Sequence, residues 1–432
     1  MGSGSAVNIH SRERLAWAFV LTGSTIFFTL LVAIPFLINA TIQRTTQSLD
    51  IVLEAHQGTV SLNDAQGVPR AILPGDPPRS FEAQASIRTG FPANGFVFIN
   101  SPNGGGQLAR LQMFANTILL IEQADSPRFE SSASPYELRL SLENGRLHFK
   151  VLPDGTRPFL ITLATPHGAI DIAEAGEYTI NIAPEETQIV VQLGQAQLTA
   201  GGETITLLPN QRAEFYGDRP LIGPLIPQEN LIANGNFRQP LLSPEAGWQK
   251  TAWNIELPDQ PKGVVRQIQT TEQSSLRLTR NGIGHADIHF DQPLDIVVPA
   301  AEDEATLWLQ IKFRILSQSL EVCGFQGSEC PLFIQLAYED ESGNPQSWQQ
   351  GFYTLAGRGD TSPYLCFSCA GVRSGHEQIM ANEVVIYEID MEEIGRLGPL
   401  PHRLTQISLV ASGHSFDVEI LDVSLFATAV NQ

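Results

Sequence analysis

Hydrophobic and polar positions along this chain fall into two regimes. From Leu15 to Leu37 the run LAWAFVLTGSTIFFTLLVAIPFL carries no charged residue. As a helix rising ~1.5 Å per residue it is ~35 Å long, enough to cross ~30 Å of hydrocarbon with some tilt. Beyond about residue 50 the period drops to two, and short alternating segments bounded by turn residues continue to the C-terminus, the pattern of half-buried strands. In ELRLSLENGRLHFKV, Leu138, Leu140 and Leu142 alternate with polar residues, as do Leu147, Phe149 and Val151. Asn144-Gly145 between the two runs predicts a hairpin. A second hairpin is predicted from Ala196, Leu198 and Ala200 through Gly201-Gly202 to Ile205 and Leu207, and Leu111 with Met113 marks a further strand. In DVEILDVSLF, Val418 and Ile420 share a face but the register resumes at Val423 and Leu425, which predicts a β-bulge near Leu421. No amphipathic helix is expected between residues 50 and 230.

A chain of 432 residues exceeds one ordinary core, so two folded domains and an anchor are expected. Pro220, Pro224 and Pro227 cluster in GDRPLIGPLIPQ, where a strand ladder cannot continue, and mark a stiff connector. The expected organisation is a cytoplasmic tail at 1–14, a transmembrane helix at 15–40, a polar stalk at 41–50, a first β-domain at 51–217, a proline-rich linker at 218–228 and a second β-domain at 229–432. Arg12, Arg14 and the amino terminus before the span, against Arg44 offset by Asp50 and Glu54 after it, place the N-terminus in the cytoplasm and the bulk outside the cell membrane. The partner of residues 15–40 is then membrane lipid. The competing reading is a signal peptide cleaved after Ile38-Asn39-Ala40, against which stand the length of the apolar run and the size of Ile38.

The net charge of -20 excludes a nucleic-acid partner, which needs clustered Lys and Arg. All four cysteines, Cys323, Cys330, Cys366 and Cys369, lie in the second domain. Their spacings suit a tetrahedral zinc, but export favours two disulfides. Three pairings are open, and the spacing selects none. His285 and His289 would share a strand face, but with no third ligand evident they read as a hydrogen-bonded pair. Arg358-Gly359-Asp360 reads as a turn. No nucleophile elbow, phosphate loop, HExxH or paired-carboxylate phrase stands out, so a non-enzymatic protein is expected.

EAHQGTVSL, SIRTG at 86–90, LENGRLHFKV, ATPHGAIDIAEAGEYTI and LGQAQLTAGGETITLLPNQRAEF resemble the exported β-domain of the FecR family over residues 51–217. NLIANGNF with Trp248, the LRLTR strand, LFIQLAYEDESGNPQSW and EILDVSLF resemble the galactose-binding-like jelly roll of carbohydrate-binding modules over 229–432. The fold class implied is an all-β ectodomain, a FecR-like β-domain plus a β-sandwich jelly roll, with one N-terminal transmembrane helix in a prokaryotic envelope. The FecR signalling role needs a cytoplasmic helical segment, and fourteen residues cannot pack one. The jelly-roll resemblance implies glycan or protein binding, with Trp348, Phe352 and Tyr353 as surface ligand-binding residues. Trp248 is expected in the core, and Trp253 is a further aromatic candidate. No cofactor is expected beyond a structural calcium, implied at Asn234 and Asp422. The expectation is a membrane-anchored surface protein binding glycan or protein. Its alternatives are a structural accessory subunit of a larger envelope complex and a FecR-type regulator.

Overall fold

In the computed structural model the apolar run lies inside one helix, Ile9–Arg44, whose large apolar side chains from Leu15 to Ile38 are exposed. The structure describes residues 9–91, 93–102, 104, 106–152, 157–217, 219–226, 230–241, 243, 246–270, 273–300, 305–357 and 364–429. The helix runs past residue 40, and the expected stalk at 41–50 is replaced by a joint. Gln43 accepts from the backbone amide of Ala133 at 2.9 Å, and its carbonyl accepts from the Ser134 hydroxyl at 2.9 Å. Thr46–Ser48 then pairs antiparallel with residues 125–127, and Asp50–Gln57 is already a strand. Backbone groups that a free stalk would leave to water are satisfied by this ladder instead. The chain divides into two compact units, 1–226 and 227–432.

Unit 1 is built from two β-layers that share the strand Tyr136–Val151. Residues 136–144 lie between Phe159–Thr165, parallel, and Ile118–Pro127, antiparallel, in one layer. Residues 145–151 lie between Gly176–Ile182 and Gln107–Met113 in the other. The hairpin expected at Asn144-Gly145 therefore does not form. Gly145, at φ +92°, bends the chain from one layer into the next without reversing it, and each half gains two ladder partners. Leu138, Leu140, Leu142, Leu147 and Phe149 all sit in the core between the layers. The Gly201-Gly202 hairpin does form, with Ala196–Ala200 paired to Glu203–Leu207 and both glycines at positive φ.

Unit 2 is a sandwich made by two long strands, Ser274–Val297 and Pro401–Ala429, that turn a corner together. On one side of the corner, residues 286–297 and 403–413 pair with each other, and are flanked by Gln249–Trp253, Leu332–Asp340 and Pro345–Tyr353. On the other side, 274–281 and 415–420 pair with each other, flanked by Val264–Gln269, Ala305–Gln318 and Val385–Asp390. Arg280 clamps the corner. It is 4% exposed, and its guanidinium donates to the carbonyls of Pro261, Gly284, Gly413 and His414 at 2.6–2.8 Å. Gly284, Gly413 and His414 lie at the bend, where the ladder is interrupted, and Pro261 is in the loop that packs over it. The bulge expected near Leu421 is present: Lys312 faces Asp422 while Phe313 faces Ile420. Trp248 is core, stacked on Phe290 at 4.8 Å with its indole N–H donating to the Ala233 carbonyl at 3.0 Å.

Candidate ligand-binding cleft

Strand parity divides the first layer of unit 2 into an apolar and a polar face. Ile288, Phe290, Ile334, Leu336, Ile407 and Leu409 point into the sandwich core and are 0–1% exposed. The alternate residues face outwards. Register places Asp291 opposite Ser408, Ser408 opposite Gln335, and Gln335 opposite Gln349, so one straight row of polar side chains crosses four strands. Three members of the row, Ser408, Gln335 and Gln349, lie on the floor of a cleft of about 510 Å³ lined also by Gln406, His289 and Asp287, and Asp291 stands outside it.

Within the row Gln335 donates to the Gln349 side-chain oxygen at 3.2 Å, and beside it Gln406 donates to the Ser408 hydroxyl at 2.8 Å. Among the described residues the Gln349 Nε2 has no hydrogen-bond partner although the residue is 6% exposed, and Asp291 Oδ1 has none either. The outer face of the opposite layer is different. There Arg277 grips Asp417 with two hydrogen bonds of 2.8 and 2.6 Å, and Arg314 donates to Glu419 at 2.7 Å.

One end of the cleft is closed by an ionic group. His285 Nδ1 lies 2.9 Å from Glu329 Oε1 and its Nε2 3.2 Å from Asp287 Oδ1. Hydrogen bonds to Asp287 and then Glu329 push the imidazole up to about 10, so it is a cation. Burial raises the Asp287 carboxyl, but hydrogen bonds from His285, Ser412 and Asn254 outweigh it and hold the group below its ordinary value. His289 lies 4.0 Å from Asp291 and does not join His285.

Trp348, Phe352 and Tyr353, expected on the surface, are 0, 0 and 3% exposed. Trp348 and Phe352 have the parity of the core face: Phe352 packs on Phe313 at 4.7 Å, and Trp348 donates to the Ser374 hydroxyl at 3.0 Å. Tyr353 faces outwards but is covered by Val322, Cys323, Cys330 and Phe333. Trp348 nevertheless stands among the residues lining the cleft, beside Gln335, Gln349 and Ser408, whose side chains carry no distinctive chemistry in the sequence. Their signal was the alternation of Gln with Leu and Trp in LFIQLAYED and SWQQGFY.

Of the three cysteine pairings the structure makes Cys323–Cys330 and Cys366–Cys369. The first loop of unit 2 meets the last strand, with Val423 N donating to the Gly235 carbonyl at 3.0 Å. There Asn234 closes on Gln239 through both ends of its amide, at 2.9 and 3.1 Å, and Asp422 accepts from the Ser424 hydroxyl. Burial pushes the Asp422 carboxyl up to about 6. Residues 358–360 and the Trp253 side chain lie outside the described residues.

No family model matches this chain, and no curated protein does. Among solved structures, a protein described as an anti-sigma factor from Parabacteroides distasonis is 16% identical over 32% of this chain and 57% of its own, with a TM-score of 0.24. The family 11 carbohydrate-binding module of a Clostridium thermocellum cellulosomal cellulase is 7% identical over 47% of this chain and 96% of its own, with a TM-score of 0.28. The CBM22-1 xylan-binding domain of Paenibacillus barcinonensis Xyn10C is 10% identical over 46% and 95%, with a TM-score of 0.25. These scores are too low for the likenesses to bear on function, which rests on the cleft itself.

Proposed function

We propose that unit 2 is a non-enzymatic carbohydrate-binding module, held at a membrane by the N-terminal helix, and that its ligand lies in the cleft across Ser408, Gln335 and Gln349. The observation that carries this reading is the line of uncharged hydrogen-bonding side chains, Ser408, Gln335 and Gln349, which register sets side by side on the cleft floor. A sugar hydroxyl both donates and accepts, as does a side-chain amide. Neighbouring strands stand ~4.8 Å apart, close to the length of one pyranose ring, so the row offers each successive sugar a polar group. Among the described residues neither Lys nor Arg lines the cleft, and the His285 cation is already paired with Asp287 and Glu329, which favours an uncharged glycan over a uronate or sulfate. The anchoring role is supported by the helix end: cleavage after Ala40 would cut a continuous helix whose next residues are built into unit 1.

The test is calorimetric titration of the full chain, in a detergent without a sugar head group, against neutral and acidic oligosaccharides. Binding of a neutral glycan is expected, with Gln335→Ala and Gln349→Ala each weakening it by about 1–2 kcal/mol. If no glycan binds, or both variants bind unchanged, the accessory-subunit reading replaces this one. A mature N-terminus at Thr41 would remove the anchor.

A further inference from the structure

Cys323, Cys330 and His376 meet beneath the outer face of unit 2, with two sulfurs and a ring nitrogen within 4.8 Å of one another and all three residues buried. His376 is 8% exposed, and its Nε2 lies 2.8 Å from the Gly327 carbonyl. A carbonyl can only accept, so Nε2 carries the proton and Nδ1 presents a bare lone pair. Among the described residues Nδ1 has no hydrogen-bond partner. This is the arrangement of a metal-ligating histidine, whose second ring nitrogen donates to a backbone carbonyl that fixes the tautomer. Gly351 keeps the space between the groups open: a Cβ there would stand 2.5 Å from both Cys330 Sγ and His376 Nδ1. In this structure the two sulfurs are joined in a disulfide, and Nδ1 faces a site without a donor.

We propose that Cys323, Cys330 and His376 are a redox-gated zinc site. A dithiol or phosphine reductant supplies two electrons, the S–S bond breaks, and two protons from solvent give two thiols while the reductant becomes a disulfide or a phosphine oxide. On binding Zn²⁺ the thiols release two protons and donate one lone pair each. His376 Nδ1 donates the third, and water takes the fourth position of a tetrahedral ion. Thiolate and imidazole together select zinc over the hard cations. A disulfide oxidant takes two electrons from the two thiolates and is reduced to two thiols with protons from solvent, while the S–S bond of Cys323 and Cys330 forms again and the ion leaves.

The experiment uses the full chain in detergent, reduced with a phosphine, desalted without air and titrated with Co²⁺ as the spectroscopic stand-in for zinc. Reduced protein should show thiolate-to-cobalt absorption saturating at one ion per chain and bleached by Zn²⁺, and oxidised protein none. Cys366→Ser with Cys369→Ser should leave the titration intact, and His376→Gln should weaken it at least roughly tenfold. If His376→Gln does not fold, zinc protection of the reduced wild type is read instead: Cys323 and Cys330 should resist alkylation while Cys366 and Cys369 react. Absence of cobalt binding, an unchanged titration in a folded His376→Gln protein, or protection centred on Cys366 and Cys369 overturns the proposal.

Discussion

Three histidines show how one side chain is put to opposite uses by its surroundings. His285 is held as a cation by Asp287 and Glu329, with its imidazole pushed up to about 10. His56 in unit 1 and His376 in unit 2 are each pushed down to about 4 by burial. The signs differ accordingly. A raised folded value stabilises the fold fully below the ordinary value near 6.5, and that stabilisation is lost as pH rises through 10. A lowered value leaves the fold at full stability above 6.5 and weakens it as pH falls towards 4. Unit 2 should therefore lose stability at both ends of the range and unit 1, through His56, at the acid end. Thermal unfolding between pH 4 and 10 checks this. His285→Gln should flatten the alkaline limb of unit 2 alone, and an alkaline limb of unchanged slope would refute the assignment.

At the scale of the element, alternation told which residues face the core but not which strand lies alongside. The two runs around Asn144-Gly145 were legible, and their core-facing leucines are where the pattern puts them. The chain nevertheless passes straight through, because Ile118–Pro127 and Gln107–Met113 are available to pair with each half. Glycine is then required at 145, where φ is +92° and an added Cβ would lie 2.5 Å from the Thr117 Cα. Gly145→Ala should cost unit 1 at least about 2 kcal/mol in denaturant unfolding, since neither the left-handed backbone nor the close approach tolerates a methyl group. Were 145 the tip of an exposed hairpin, only the positive φ would be penalised, at about 1 kcal/mol, with no clash against Thr117, and a cost of that size would restore the hairpin. The same limit explains Trp348, whose turn-proximal position suggested exposure while its parity and its neighbours put it inside.

For the whole molecule the division into two units has a direct thermodynamic consequence, because all four cysteines fall in the second. Loop closure by short disulfides stabilises by roughly 2 kcal/mol each. Calorimetry of the full chain should resolve two transitions, of which a reductant lowers only one. A reductant that moved both, or a single transition at all conditions, would show that the units unfold together.

Chain order and composition by themselves determined the apolar helix, the all-β class, the bulge at Leu421 and the burial of Trp248, because each follows from a local period or from the size of one apolar side chain. The cleft was decided only in three dimensions. Asp291, Ser408, Gln335 and Gln349 come from distant parts of the chain, and no single one of them is unusual. They become a row because register aligns them, and Ser408, Gln335 and Gln349 become a candidate site because a cleft opens over them. Cysteine partners, the corner held by Arg280 and the open lone pair of His376 were decided the same way. Pairing energy depends on what is near in space, and a β-fold with few local contacts records little of that along the chain.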